Sequence, residues 1–457
     1  MYNLNSNFTL PSRVMPVIIY QFFLGLLFSF FLLLPAQGTD LLEAYQLARQ
    51  TNPDLQNQVA ALQAALEAKP QAKALFFPTI GLSSNYNWTN QDISLVSKNI
   101  VPGFRGNFDS FGYTLNLSQP IYHRDSFIQL KQADATIAQA EANLVNQEQI
   151  LLVQVAQFYF GILGAQSDLE FATMNKKSIG EQLEQAKERF KVGLATIVDA
   201  NAAEAAYDLA VFQEIDAQKT LAVAKEQLRQ VVGQYIPELN GLQKETPLIY
   251  PDPIDIDKWS ATALQQNPLI DASEAAVANA RQGIELQKSG HYPTLDIVGS
   301  DGSIITGGGR FGGFSTRQDV IGLQFNLPIF QGGMVMSKTR QSQHQLEQAM
   351  QQLESTRRQV YLQTRQAYLD VTSQISQVKA LKQAIISNQS SLESTEEGYK
   401  VGTQTAVDLL VIRSNLYSAL RDYAKARYDY LVNTLVLKQG AGIVTLEDLT
   451  MMNSWLH

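Results

Sequence analysis

The sequence predicts an α+β architecture, internally duplicated, in which long helical hairpins and short strand pairs from several copies build one tube. Three observations lead there. A turn occurs twice, RFKVGLATIVDA at 189–200 and GYKVGTQTAVDL at 398–409, 209 residues apart. Two pairs of segments alternate apolar with small polar residues, and two long stretches keep helical periodicity without a proline.

The duplicated turn reads as the end of one helix and the start of the next. Lys191 and Lys400 suit the negative end of a helix dipole, and Gly193 and Gly402 follow as left-handed terminators. Thr196 with Asp199, and Thr405 with Asp408, have the spacing of a capping box. The repeat extends further: Asn52-Pro53 echoes Asn267-Pro268, Phe77-Pro78-Thr79-Ile80 echoes Tyr292-Pro293-Thr294-Leu295, and Pro120-Ile121-Tyr122 echoes Pro328-Ile329-Phe330. Between the last two markers the first half carries seven extra residues. The unit far exceeds solenoid repeats of about 20–50 residues, so one interwoven structure is expected, with both hairpin tips at one end.

Charged residues make up 17% of the 457 residues, below the share of about 25% in ordinary soluble domains. A net charge of −8 argues against nucleic acid as a partner. With no cysteine there is no disulfide, no thiolate metal site and no lipid on an N-terminal Cys.

Taken in order, residues 17–34 form an apolar run preceded by Arg13 and followed by Pro35 and Ala36-Gln37-Gly38. This reads as a secretory signal spanning 1–38, the competing reading being a retained anchor. No later stretch reads as a transmembrane helix, so further membrane contact must use strands. From 40 to 75 a helix is expected, with Leu42, Tyr45, Leu55, Val59, Leu62 and Leu66 on one face and Pro53 as its interior breaker.

After Pro78 the period becomes two. Ile80, Leu82, Ser84, Tyr86 and Trp88 alternate with Gly81, Ser83, Asn85, Asn87 and Thr89, and Phe111, Tyr113, Leu115 and Leu117 do so on the return. Such segments suit transmembrane barrel strands, and equally an antiparallel sheet with one wet face. In the second copy Ile321, Leu323, Phe325 and Leu327 repeat the pattern, whereas 294–304 is poorly patterned and its Asp296 and Asp301 each require a lumen or a loop. The glycine-rich GGGRFGG between them joins two strands, which makes it a flexible surface loop rather than a dinucleotide site.

Beyond each strand pair lies a long helix. Leu130, Ile137, Leu144, Leu151 and Phe158 recur every seven residues, and Leu346, Leu353, Val360 and Ala367 continue that register in the second copy. This predicts helices packed side by side in a left-handed supercoil, the one from 122 to 190 being about 100 Å long. The return helices, 194–232 and 403–438, cover half that length, and the helices at 40–75 and 258–290 make up the remainder if stacked end to end with them. Pro237, Pro247, Pro251 and Pro253 mark a strap at 237–257. The chain thus divides into the signal, a first repeat over 39–236, the Pro-rich equatorial linker, a second repeat over 258–440 and a tail over 441–457.

Four strands cannot close a membrane barrel, for which about eight is the minimum. Two copies would give a barrel filled by side chains, and three would give twelve strands and an open lumen. The favoured object is a trimer with a shared barrel in a membrane, continued by a tube of helices.

At this point the order of helix, strand pair, long helix and Lys-Val-Gly turn, duplicated once, resembles the TolC family of outer-membrane efflux channels. Gln227-Leu228-Arg229-Gln230 with Gly233, Tyr235, Pro237, Glu238 and Leu239 is similar to the close of that family's first half, and Ala426-Arg427-Tyr428-Asp429-Tyr430-Leu431 to its last helix. The resemblance covers essentially the whole chain after the signal. It implies a homotrimer whose twelve-stranded barrel crosses the outer membrane and whose α-helical barrel extends into the periplasm of a Gram-negative-type envelope. The implied function is a passive exit duct of a tripartite efflux pump or a type I secretion system. Its partners would be a periplasmic adaptor, an inner-membrane transporter reached indirectly, and outer-membrane lipid.

The resemblance also implies docking of Val192-Gly193-Leu194 and Val401-Gly402-Thr403 on the adaptor, and an iris-like gate at the helix tips. By motif position Asp408 matches a ring aspartate, and Tyr399 and Asp199 match members of the closing network. The second ring aspartate is Val411 here, so Asp408 alone would place three carboxylates near one axis and favour cations, and the network arginine is Gln404, a loss that weakens the implied closed state. Read from the residues alone, Asp199 and Asp408 are helix caps, a role compatible with pore lining. His123, His291, His344 and His457 have no metal-ligand spacing, and no catalytic constellation or cofactor motif is visible. The alternatives are a non-conducting coiled-coil structural or adhesive surface protein, and a periplasmic enzyme.

Overall fold

The computed structural model describes residues 38–94, 103–243 and 246–456, so the expected signal lies outside the described residues except for Gly38. The first half contains α1 (Leu41–Thr51), α2 (Pro53–Leu66), α3 (Ala68–Ala74), β1 (Thr79–Ile93), β2 (Phe104–Tyr122), α4 (Arg124–Lys191) and α5 (Ile197–Val232). The second contains α6 (Ile256–Gln266), α7 (Pro268–Lys288), β3 (Thr294–Thr306), β4 (Phe314–Asn326), α8 (Met334–Lys400) and α9 (Ala406–Gly440), followed by α10 (Leu446–Asn453). At 68 residues, α4 spans about 100 Å. Every heptad residue named from the sequence is buried or half-buried, as the side-by-side packing of α4 and α8 with their neighbours requires.

The expected single helix over 40–75 is three helices. Asn52 breaks the first ahead of Pro53, and Glu67 breaks the second three residues ahead of Pro70, whose missing N–H and bulky ring disturb the preceding turn. The break at Asn52 is also a joint. Its Oδ1 accepts from the Leu55 amide at 3.0 Å, capping α2, while its Nδ2 donates to the Val231 carbonyl at 3.4 Å, at the end of α5. Asn267 repeats this, accepting from the Leu269 amide at 3.0 Å and donating to the Gly440 carbonyl at 2.9 Å, at the end of α9. Each Asn-Pro thus splices a short helix to a return helix and satisfies orphan groups on both sides.

The core gathers at this level. Leu151, Leu152, Val155, Ala156, Tyr159 and Phe160 of α4 are no more than 3% exposed and pack with Leu41, Leu228, Tyr430, Leu431 and Leu449. Contrary to expectation, α4 is long and apolar enough over part of its length to cross a membrane, but more than half of that stretch is buried within the protein. The strap is pinned rather than loose. The Tyr159 hydroxyl donates to the Thr39 carbonyl at 3.1 Å and the Asn240 carbonyl at 2.9 Å, and Tyr430 exchanges bonds with the Ile249 amide and carbonyl. The tail is also integrated, since Asn453 accepts from the Leu41 amide at 3.0 Å and donates to Asp40 at 3.0 Å. Gly442 must lack a side chain, because its φ is +76° and a Cβ there would lie 2.2 Å from the Gln266 carbonyl oxygen.

The strands form one antiparallel sheet in the order β1-β2-β3-β4, so the central pairing joins the two halves. The seven extra residues of the first half lengthen both of its strands and their connection. The poorly patterned segment forms β3 over its whole length. Asp296 falls on the polar face, where His123 Nε2 lies 3.0 Å from its Oδ1. Asp301 does not find the expected lumen or loop: it is in register with Leu115 and Asp319 on the apolar face, paired with Arg317 at 3.5 Å.

The reason is stagger. On β1 and β2 the apolar face extends up to Trp88 and Phe111, but on β3 and β4 only to Gly299 and Ile321, before the charged group begins. The boundary moves back two residues between β1 and β2, six between β2 and β3 and none between β3 and β4. Asp301, Asp319 and Arg317 end the apolar run of β3 and β4 at the level of Leu115 and Tyr113 of β2.

Removing the second splice tests the joint. Asn267→Ala should cost about 1–2 kcal/mol, read as a lowered thermal midpoint of the purified protein. Asn267→Asp keeps the capping oxygen but loses the donor, so if it melts with the native protein the bond to Gly440 contributes nothing.

Candidate functional site

The two hairpin tips carry the site residues expected from the sequence. At the first, Gly193 has φ +75° and its amide donates to the Phe190 carbonyl at 3.0 Å, while the Leu194 amide reaches Arg189 at 2.8 Å. At the second, Gly402 has φ +79°, its amide donates to Tyr399 at 3.2 Å, and the Thr403 amide reaches Gly398 at 2.8 Å. These are helix terminations that glycine allows without strain. They leave Val192, Leu194 and Val401 between 68% and 74% exposed, and Ile197 and Val198 beside the first turn are exposed as well.

Both expected capping boxes form. The Asp199 amide donates to Thr196 Oγ1 at 3.2 Å, and Asp199 Oδ2 accepts from the Thr196 amide at 3.0 Å and hydroxyl at 2.7 Å. Asp408 and Thr405 repeat this at 3.1, 2.9 and 2.6 Å. The threonine hydroxyl, then the threonine amide, hold each carboxyl below the ordinary aspartate range. Each capping bond that these carboxylates accept falls on Oδ2.

The tips are tied to each other by residues that the sequence reading passed over. Arg189 lies 4.8 Å above the Tyr399 ring, joining α4 to α8. Buried Gln182 donates to the Ala406 carbonyl at 3.0 Å, at the start of α9. Arg413 bonds Glu396 at 2.6 Å and the Ser178 carbonyl at 3.3 Å, linking α9 to α8 and to α4. Arg189, Tyr399, Glu396 and Arg413, with Glu188, Gln185, Lys400 and Leu409, frame a cleft between the two hairpins.

Gln404 takes no part in this link. Its side chain packs where a Cβ on Gly398 would otherwise lie, 2.6 Å from Cγ, and its amide donates to the Gly398 carbonyl at 3.2 Å. Val411 is half exposed.

A signal for the missed residues was present in the repeat. Arg189 and Gly398 are equivalent positions, as are Glu204 and Arg413, and Lys187 and Glu396. The first hairpin pairs Lys187 with Glu204 at 3.4 Å, and the second pairs Glu396 with Arg413 at 2.6 Å with the charges exchanged. The coupling residues are thus positions where the two copies disagree. Among the described residues, no group of three or more His, Asp and Glu is arranged to hold a metal.

The outer membrane efflux protein family matches residues 44–234 and 259–442 of this chain. Outer membrane protein TolC of Escherichia coli is 33% identical over 436 residues, which cover 92% of this chain and 86% of that protein. Alkaline protease secretion protein AprF of Pseudomonas aeruginosa is 28% identical over 437 residues, covering 93% and 90%. Among solved structures, the CmeC outer membrane channel of Campylobacter jejuni superposes with a TM-score of 0.76 at 17% identity, covering 91% of this chain and 90% of that one, and so shares its fold.

The lowered carboxyls make the helix starts acid-sensitive. A cap whose folded pKa is depressed stabilises above the unfolded value, about 3.9, and is lost as pH falls through the folded value. Protection of the amides of 406–410, measured by hydrogen exchange and corrected for intrinsic rate, should therefore hold at pH 5 and fall at lower pH than the ordinary aspartate range. In Thr405→Val the loss should begin at higher pH, and an unchanged profile would remove the hydroxyl as its cause.

Proposed function

This chain belongs to the outer membrane efflux protein family, and on that premise we propose how it forms its conduit. It is an outer-membrane exit duct for efflux or secretion. Three copies close a twelve-stranded barrel, β1 of each pairing with β4 of the next. The observation that carries this is a sheet with one apolar face and two unpaired edges, joined to helices about 100 Å long. In a bilayer every backbone N–H and C=O must be bonded, and an open edge cannot persist there. The boundaries at 39–236, 237–257, 258–440 and 441–457 then divide two repeats from the strap and tail that belt them.

The hairpin tips form the gate at the far end. Asp408 of each copy lies toward the axis, its Oδ2 engaged in the cap and its charge favouring cations. Asp199 and Tyr399 belong to the closing contacts, Gln404 stands where an arginine would strengthen them, and Val411 leaves the acidic ring to Asp408 alone. Arg189, stacked on Tyr399, supplies an in-chain tie that Gln404 does not. The exposed turns Val192-Gly193-Leu194 and Val401-Gly402-Thr403 dock on a periplasmic adaptor, through which an inner-membrane transporter delivers cargo. Opening is an untwisting of the tip helices, with no covalent chemistry.

Single-channel recording of the purified protein after signal removal tests this. A trimer in detergent should give cation-preferring currents, with the preference reduced at least about twofold in Asp408→Ala. Arg189→Ala should raise the open fraction at least about tenfold, matching loss of one cation–π contact of about 0.5–1 kcal/mol in each of three copies. A folded trimer that stays silent even in Arg189→Ala would overturn the duct.

A further inference from the structure

The face of the sheet assigned to the lumen is polar over most of its height: Gly81, Ser83, Asn85 and Asn87 of β1 are in register with Asn116, Thr114, Gly112 and Ser110 of β2. Toward the strand connections this changes. Continuing with the same parity, the next β2 positions are Phe108, opposite Thr89, and Phe104, opposite Ile93. On β4 the corresponding position is Phe314, opposite Thr306, which itself pairs with Ser110. Three phenylalanines therefore stand on the wet face, at the outer end of the barrel.

They are not the aromatic girdle of a membrane interface. That role falls to Tyr86, Trp88 and Phe111, which project from the opposite, apolar face. Nor are they hidden by packing, since Phe314 is 54% exposed and Phe104 and Phe108 are half-buried.

The backbone makes room for two of the rings. A Cβ on Gly308 would lie 2.7 Å from Phe108 Cβ, and one on Gly106 would lie 3.0 Å from the Phe104 ring. The Phe104 and Phe108 centroids are 6.4 Å apart and tilted, leaving ring area uncovered by each other. Ile304 of β3, on the same face and 42% exposed, stands opposite Gly112 of β2 and Thr316 of β4 and adds to this apolar surface.

We propose that Phe104, Phe108 and Phe314 form an aromatic collar inside the outer mouth of the duct, which binds aromatic and cationic amphiphilic groups of cargo as they leave. This rests on the trimeric reading, which brings three such sets around one axis. Ring faces attract cations and apolar surface in water, and a ring at each of several positions around a pore retards such a solute without stopping hydrated ions. The collar is separate from the acidic tips, so the two ends of the duct discriminate on different chemistry.

The test is current block by tetraphenylphosphonium, added on the barrel side of the full trimer in a planar bilayer, with tetramethylammonium as comparison. Tetraphenylphosphonium should half-block at a concentration at least about tenfold lower. The paired substitution Phe108→Ala with Phe314→Ala should raise that concentration about tenfold, and Phe108→Leu with Phe314→Leu, which preserves apolar volume at the mouth, about threefold. Either pair should shift the weak block by tetramethylammonium by a smaller factor than that by tetraphenylphosphonium, which also loses apolar contact. A conducting native channel whose tetraphenylphosphonium block is the same in both pairs overturns the collar alone, as does a block abolished by Asp408→Ala instead. A native protein that passes no current overturns the duct and the collar with it.

Discussion

Two short helices meet two return helices end to end, and the side chain between them must serve both. An α-helix leaves unbonded amides at its start and unbonded carbonyls at its end, so butting two helices together inside a core would bury both sets unpaired. Asn52 and Asn267 meet this constraint with one amide group each, the oxygen accepting from the new helix and the nitrogen donating to the old one. The following proline fits the first helical position, where its missing N–H costs nothing. Around these two joints lie Tyr159, Tyr430 and the buried leucines, and from them the long helices run to both ends. The strap, Thr39 ahead of α1 and the tail all fasten at this level, so the belt holds together what the long helices would otherwise leave as separate hairpins.

The two ends of the molecule are constrained differently. At the strand end, an apolar face and two open edges demand neighbours. At the helix end the constraint is local: glycine closes one helix, and a threonine and aspartate open the next within a few residues. Because that capping is complete within each turn, the tips keep their shape independently of what they touch. Movement between hairpins then works against weaker ties, the Arg189–Tyr399 stack, the Gln182–Ala406 bond and the Arg413 contacts.

Duplication explains why these ties are asymmetric. Equivalent positions in the two hairpins began as the same residue, yet the ion pair across each hairpin has opposite polarity in the two copies, Lys187–Glu204 against Glu396–Arg413. Arg413 can then also reach the Ser178 carbonyl of the neighbouring hairpin, and Arg189 stacks on Tyr399 while its equivalent Gly398 has no side chain to offer Phe190. Divergence between repeats converts two self-contained hairpins into a coupled pair.

The sequence by itself determined the repeat, the helix–strand order, the turns at Gly193 and Gly402 and the caps at Thr196 and Thr405, because all of these follow from local dihedral and hydrogen-bonding needs spanning a few residues. Heptad spacing was equally legible, since it is periodic along one element. Only the tertiary structure decided that Pro70 follows a second break in the first helical segment, that α4's most apolar stretch is core, and that Asp301 shares a face with Leu115. It alone assigned partners to Arg189, Gln182 and Arg413, and the aromatic end of the wet face. Each of these depends on which residue of a distant segment arrives opposite, and register between segments hundreds of residues apart is set by the packing of the whole chain, not by any window of it.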